Sequence, residues 1–189
     1  MKALRAEPPC GVELHTRVLP VVFGEAGPLL RAAIDEVRPR VVLCLGAGVM
    51  NTPRVERVAI NLNDIPGRKD NRGRSPEEEP IEPDGPAAYF STLPVRALVK
   101  HLNERGVPAA ESRTAGAFLC NHAFYVARHH VATSGLDAWA GFIHLPILPE
   151  TAAEQPGMDR PPSLALETQA AGIRLACEFL AARRLSSPS

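Results

Sequence analysis

The stretch RVVLCLGAG, residues 40–48, constrains the fold more than any other part of the chain. Val41 to Leu45 are apolar without a break, and the run closes on Gly46 and Gly48. A strand with one wet face alternates apolar and polar residues, so an unbroken run predicts a central strand covered on both faces. Covering both faces takes helices, and the neighbouring sequence supplies them. EAGPLLRAAIDEVRP puts Leu29, Leu30, Ala33, Ile34 and Val37 on one helical face and stops at Pro39. Further on, PVRALVKHLNERG predicts a helix with Pro94 at its start and Gly106 at its end. A helix follows Cys120, and a last one runs from about Ser163 to Arg183.

Strands are expected between these helices. Val12 to Val22 (VELHTRVLPVV) begins with apolar residues at every second position, and RVERVAINLN alternates Val55, Arg57, Ala59 and Asn61 against Glu56, Val58, Ile60 and Leu62. A short strand near Val107 to Ser112 and a longer one over WAGFIHLPIL complete the set. Alternation of this kind predicts a single α/β domain over residues 1–189, a sheet with helices on both faces. Residues 63–86 break the pattern with Pro, Gly and charge and are expected to form a long polar loop, of a length often tied to function or mobility. The tail, residues 184–189, is expected to fray.

Composition removes several functional classes. The 21 basic and 21 acidic residues cancel, which argues against a nucleic-acid binder. The four cysteines, Cys10, Cys44, Cys120 and Cys177, form no C-x-x-C pair and suggest free thiols in a reducing, cytoplasmic setting. The N-terminal residues have no signal-peptide core, and the longest apolar run falls short of the about 20 residues needed to cross a bilayer. No membrane partner is expected.

The segment SRTAGAFLCNHAFYVARHH places Cys120 where loop residues give way to a helical pattern. Unpaired N–H groups and the helix dipole favour an anion there, which suits a nucleophilic thiolate; a small buried thiol is the competing reading. Asn121 fits as an N-cap. A cysteine nucleophile needs a base. Among the six histidines, His129 and His130 lie two turns or more along the helix, and His15 and His101 fall in exposed patterns. His144, at the end of the apolar strand GFIHLP, is placed for catalysis, but equally for a satisfied core histidine. Glu56, a charge inside an apolar strand, could orient an imidazole or sit in solvent at an edge; Asp64 and Asp70 are alternatives. The spacing of Cys120, His122, His129 and His130 matches no common zinc pattern, and no metal is expected.

Four blocks together resemble the cysteine-type pyroglutamyl peptidases (pyrrolidone-carboxylate peptidases). They are ERVAIN (Glu56 to Asn61), DGPAAYFSTLPV (Asp84 to Val95), SRTAGAFLCNHAFY (Ser112 to Tyr125) and GFIHLPILPE (Gly141 to Glu150). The resemblance implies a twisted mixed sheet between helix layers, a three-layer α/β/α sandwich, without a cofactor and often as a homotetramer. It implies Cys120 as nucleophile, His144 as base and then acid, and Glu56 as the group orienting His144. The implied substrates are peptides with an N-terminal pyroglutamate, cut to release 5-oxoproline. Phe118 and Leu119 correspond to pocket-wall positions, and Arg68 to an oxyanion-binding arginine.

The chain also departs from the family pattern. NDIPGRKDN stands where the family has D-x-R-I-P-D-N, and LGAGVMN where it has G-Q-A-G-G-R, without the pocket-lining glutamine. The family's initial strand and T-G-F-x-P-F-G-G loop have no counterpart in these residues. The alternative expectation is therefore a weak or inactive member with a truncated pocket, acting in binding or assembly.

Overall fold

The computed structural model describes residues 2–155 and 160–186. In chain order the elements are α1 (Lys2–Ala6), α2 (Ala26–Val37), β1 (Val41–Gly48), β2 (Arg54–Glu56), β3 (Val58–Ile60), β4 (Ala88–Phe90), α3 (Val95–Glu104), β5 (Ala110–Ser112), α4 (Leu119–Thr133), β6 (Trp139–Pro146), α5 (Pro149–Ala153) and α6 (Leu166–Ser186). The main sheet has the order β1-β6-β2-β5, and β3 and β4 form a separate antiparallel pair. β6 runs parallel to β1 and antiparallel to β2, while β2 and β5 are parallel, so the sheet is mixed. The result is the single α/β domain with a mixed sheet that the alternation and the resemblance imply.

Strand pleating sends successive side chains to opposite faces, and here it builds two cores. Val42, Cys44, Ala140 and Phe142 join Phe124 and Val126 of α4 and Leu30 and Ile34 of α2 on one face. Val41, Leu43, Leu45, Val55 and Ile143 join Leu98 of α3 and Ile173 and Leu180 of α6 on the other. This parity places the site. Gly46, Glu56 and His144 fall on the α4 side because their neighbours Leu45, Val55 and Ile143 point to the α3–α6 side.

Several expectations change. β1 is packed on both faces but stands at the end of the strand order rather than in the middle. The strand expected over Val12–Val22 is irregular: Val12, Leu14 and Thr16 turn inward and Glu13, His15 and Arg17 outward, as the alternation requires, but among the described residues no ladder joins this segment to another. A strand is held by its neighbour's backbone, and side-chain alternation alone does not supply one. The RVERVAINLN strand is cut at Arg57, where the chain leaves the main sheet for the β3–β4 pair; the Arg57 N–H donates to Ser112 O and its carbonyl accepts from Ser91 N–H. Leu29 of α2 is exposed. The expected fray is helical as far as Ser186: Arg184 is buried, pairs with Asp137 and extends α6 past Arg183. The rest of that tail, residues 187–189, lies outside the described residues.

The long polar loop 63–86 is stitched down by hydrogen bonds. Asn63 bridges Glu79, Ile65 N–H donates to Pro76 O, and the Asp70 carboxylate accepts the backbone N–H groups of Phe23 (2.8 Å), Arg72 (2.8 Å) and Arg74 (2.9 Å). Burial would raise the Asp70 carboxyl, but those three N–H donors and the Arg74 charge hold it below its ordinary range.

Candidate active site

α4 begins at Leu119 after a loop closed by Gly116 in the left-handed region (φ +75°), so Cys120 is the second residue of the helix. The N-cap is Phe118, with no side-chain cap bond, which corrects the assignment of that role to Asn121. Asn121 lies inside the first turn and its side chain has other partners: Oδ1 accepts from Ile60 N–H (2.9 Å), and Nδ2 donates to Ile60 O (2.9 Å) and Leu62 O (3.0 Å).

His144 sits near the end of β6, in register with Gly46 on one side and Arg54 on the other. Its Nδ1–H donates to Glu56 Oε1 at 2.8 Å. Glu56 closes β2 and is 1% exposed, so the reading of a solvent-facing edge glutamate does not hold. Its Oε2 is buried and makes no hydrogen bond among the described residues. A carboxylate so placed is costly to bury and is compensated here by the imidazole. Asp64 and Asp70 are committed to loop amides instead.

Burial alone would lower the His144 pKa, but hydrogen bonding and charge from Cys120 and Glu56 outweigh it and push the imidazole up to about 9. With Nδ1 on Glu56, Nε2 is the ring nitrogen left for the thiol. Gly46 makes room for that thiol: a Cβ at this position would lie 2.7 Å from Cys120 Sγ and 2.8 Å from the Phe142 ring. From sequence Gly46 marks only the close of the apolar run, because the space it leaves is a contact between elements far apart in the chain. Of the other thiols, Cys44 is buried and Cys177 part-buried. Burial pushes Cys44 to about 12 and Cys177 to about 11, as expected of packing residues.

The three residues expected to hold substrate gather on one side of the helix start. The Arg68 guanidinium lies over the Phe118 ring, 4.2 Å from its centroid, and Phe118 meets Phe23 edge-on at 5.5 Å. Leu119 is buried in a small cluster with Phe23 and Ala26, so it backs this wall rather than forming its open surface. Phe23, near the end of the misassigned strand, was not singled out from sequence. It is held here by its N–H bond to Asp70. His122, one residue past Asn121, donates from Nδ1 to Asn63 Oδ1 at 3.1 Å and is buried. Among the described residues, no group of three or more His, Cys, Asp or Glu side chains could hold a metal ion.

A thiol in the first turn of a helix, an imidazole on a strand end and a buried carboxylate behind it form the constellation used by cysteine hydrolases. The sequence matches the pyroglutamyl peptidase family over residues 4–183. Among its relatives, pyrrolidone-carboxylate peptidase 1 of Ralstonia nicotianae is 48% identical over 169 residues, covering 89% of this chain and 77% of that protein. The pyrrolidone-carboxylate peptidase of Pyrococcus furiosus is 42% identical over 170 residues, covering 88% and 80%. The solved pyrrolidone carboxyl peptidase from Thermococcus litoralis superposes with a TM-score of 0.92 at 32% identity, over all of this chain and 88% of that one. The chain belongs to the pyroglutamyl peptidase family.

Proposed function

We propose that this chain, as a single peptidase domain, hydrolyses the amide bond that follows an N-terminal pyroglutamate, with Cys120, His144 and Glu56 as its catalytic residues. The observation that carries the reading is the buried 2.8 Å bond from His144 to Glu56 on an imidazole that also interacts with Cys120. The Cys120 sulfur attacks the pyroglutamyl carbonyl carbon, and the carbonyl oxygen takes up the electron pair. As the intermediate collapses, the C–N bond breaks and the His144 imidazolium gives its proton to the leaving amine. Now neutral, His144 takes a proton from water, whose oxygen attacks the thioester. The Cys120 thiolate leaves, and 5-oxoproline is released with the imidazolium restored. Glu56 keeps the ring oriented and stabilises its positive form throughout.

Pyroglutamate is small, neutral and half apolar, and an aromatic wall backed by aliphatic groups suits it. Phe118 supplies that wall with Leu119 behind it, and Arg68, whose guanidinium lies over the Phe118 ring, is assigned the oxyanion role. The homotetramer and the cytoplasmic location that the resemblance implies are carried as part of the same proposal. Light scattering of the purified chain and cell fractionation test them. No helix among the described residues is long and apolar enough to cross a membrane.

The deciding experiment is release of the fluorophore from a pyroglutamyl fluorogenic amide under thiol reductant, beside Cys120→Ser. Turnover by the parent and its loss in the variant are the expected result. A silent parent, or an active variant, overturns the proposal. Iodoacetamide adds a check on the nucleophile: Cys120 is expected to react well ahead of Cys44 and Cys177 at neutral pH.

A further inference from the structure

Four buried or half-buried side chains of α4 reach across to the second sheet and its flanks. Asn121 bonds Ile60 and Leu62, His122 bonds Asn63, Tyr125 Oη–H donates to Pro86 O (2.7 Å), and Arg128 Nε–H donates to Phe90 O (2.8 Å). Their spacing follows one stripe of the helix. Most of the stripe fastens the helix to the body. The first stitch differs in two ways. It is the residue next to the nucleophile, and its partner Ile60 lies four residues beyond Glu56 on the same run of chain. Asn121 is fully buried, and its side chain meets three backbone groups at once: one donor and two acceptors. An amide is the side chain that can do both, and its fixed plane leaves the first turn of α4 little freedom against that strand.

We propose that Asn121 is a positioning residue for the reaction: its three bonds lock the helix turn carrying Cys120 onto the chain that carries Glu56, and so set the thiol against the His144–Glu56 pair. The inference rests on the proposed roles of Cys120, His144 and Glu56. Its distinguishing feature is that the effect is local to the thiol. Tyr125 lies one helical turn further on and makes a comparable bond to the same body, five residues along the helix from Cys120. If the stripe is only structural, losing either bond costs stability and nothing else.

The test compares Asn121→Ala and Asn121→Asp with Tyr125→Phe in the full chain, well below each variant's melting temperature. Two readouts are taken: kcat and KM on the pyroglutamyl amide, and the pH dependence of Cys120 alkylation by iodoacetamide. For Asn121→Ala, kcat is expected to fall by about 100-fold with KM little changed, the order of loss that a small misplacement of reacting groups causes. Its alkylation profile is expected to move away from the parent's, while Tyr125→Phe keeps the parent's kcat and profile. An Asn121 variant with the parent's kcat and profile overturns the proposal, and so does an equal loss in Tyr125→Phe. Asn121→Asp preserves shape and the acceptor for Ile60 N–H, and carries the test if the alanine variant does not fold. Independent of any variant, alkylating Cys120 in the parent is expected to change the hydrogen-exchange protection of the Ile60 amide; unchanged protection overturns the coupling. A parent without turnover would sink the peptidase reading, yet the alkylation and exchange arms would still report on Asn121.

Discussion

Two histidines on the α4 side of the molecule are buried to the same degree, each 8% exposed, and end in opposite states. Burial lowers both, as it must for a group that is charged when protonated. For His122 nothing opposes it: the partner is the neutral amide of Asn63, the charges of Arg31 and Arg74 add to the effect, and the pKa drops to about 4. For His144 the partners are Cys120 and a buried carboxylate, and they reverse the effect to reach about 9. Partner chemistry, not depth, therefore separates the proposed acid–base catalyst from a neutral structural histidine. The same contrast explains why a sequence reading left His144 open between core and catalysis. Both outcomes share the apolar surroundings that sequence displays, and differ only in what lies across the fold.

The largest test of this contrast removes the carboxylate alone. Glu56→Gln keeps size and burial but gives His144 a neutral partner like that of His122. Activity on the pyroglutamyl amide is expected to fall by about 10²- to 10⁴-fold in kcat, the range associated with acid–base groups. Retention of most of the parent's kcat would mean that Glu56 does not orient the base, and the contrast between the histidines would lose its functional meaning.

Stability against pH comes next, with opposite signs at the two sites. His144 holds its proton in the folded chain up to about 9, while an unfolded histidine releases it near 6.5. Its contribution is complete below pH about 6.5 and is lost as pH rises through about 9. His122 stays neutral down to about 4, so the unfolded chain binds the extra proton, and stability is lost as pH falls from about 6.5 through about 4. Each limb is of order 3 kcal/mol at most. Urea midpoints across this span are expected to decline on both sides of pH about 6.5. His144→Asn should flatten the alkaline limb and His122→Asn the acid limb. Crossed results, with either variant flattening the other's limb, would break the assignment.

Gly46 sharpens the comparison from the thiol's side. A Cβ there collides with Cys120 Sγ and the Phe142 ring, and neither a core ring nor a helix-bound sulfur moves freely. Gly46→Ala is expected to cost about 1–3 kcal/mol, as overpacking does. It should also displace the thiol from His144, so activity per folded molecule falls as well. A variant with the parent's melting temperature and kcat would show that the space beside Cys120 is not needed.

How much of this was legible in the chain follows from the range of the interactions. β6, α3 and the helix carrying Cys120 read well because periodicity and local breakers such as Pro94 and Gly106 set them. The segment Val12–Val22 misled because alternation reports which way side chains face, and not whether a neighbouring backbone is there to pair with. Asn121 looked like a cap because small polar residues at helix starts usually bond their own turn; here Ile60 and Leu62, sixty residues earlier, offered the amide a better-matched set of partners. Residues 63–86 read as a long polar loop because Pro, Gly and charge dominate. Asp70 organises them through three backbone donors that no composition argument could reveal. The proposed triad could be named only by resemblance, since physics alone ranked Cys120, His144 and Glu56 without excluding their structural roles.

The smallest expected effect lies where the two histidine environments meet. His122 touches Phe23 edge-on at 5.7 Å, Phe23 touches Phe118 at 5.5 Å, and Arg68 lies over Phe118. The neutral histidine thus supports the aromatic wall, while the charged one is the proposed acid–base group. Phe118→Leu keeps an apolar side chain but removes the ring face that Arg68 covers, a contact of about 0.5–1 kcal/mol at such a site. If Phe118 is wall and not machinery, the loss should appear in KM, rising about two- to five-fold, with kcat close to the parent's. Glu56→Gln should show the reverse pattern, with kcat lost and KM nearly kept. A Phe118→Leu variant that instead loses kcat would move this ring from substrate binding to alignment of the adjacent helix turn, and the division of labour between the two histidine environments would have to be redrawn.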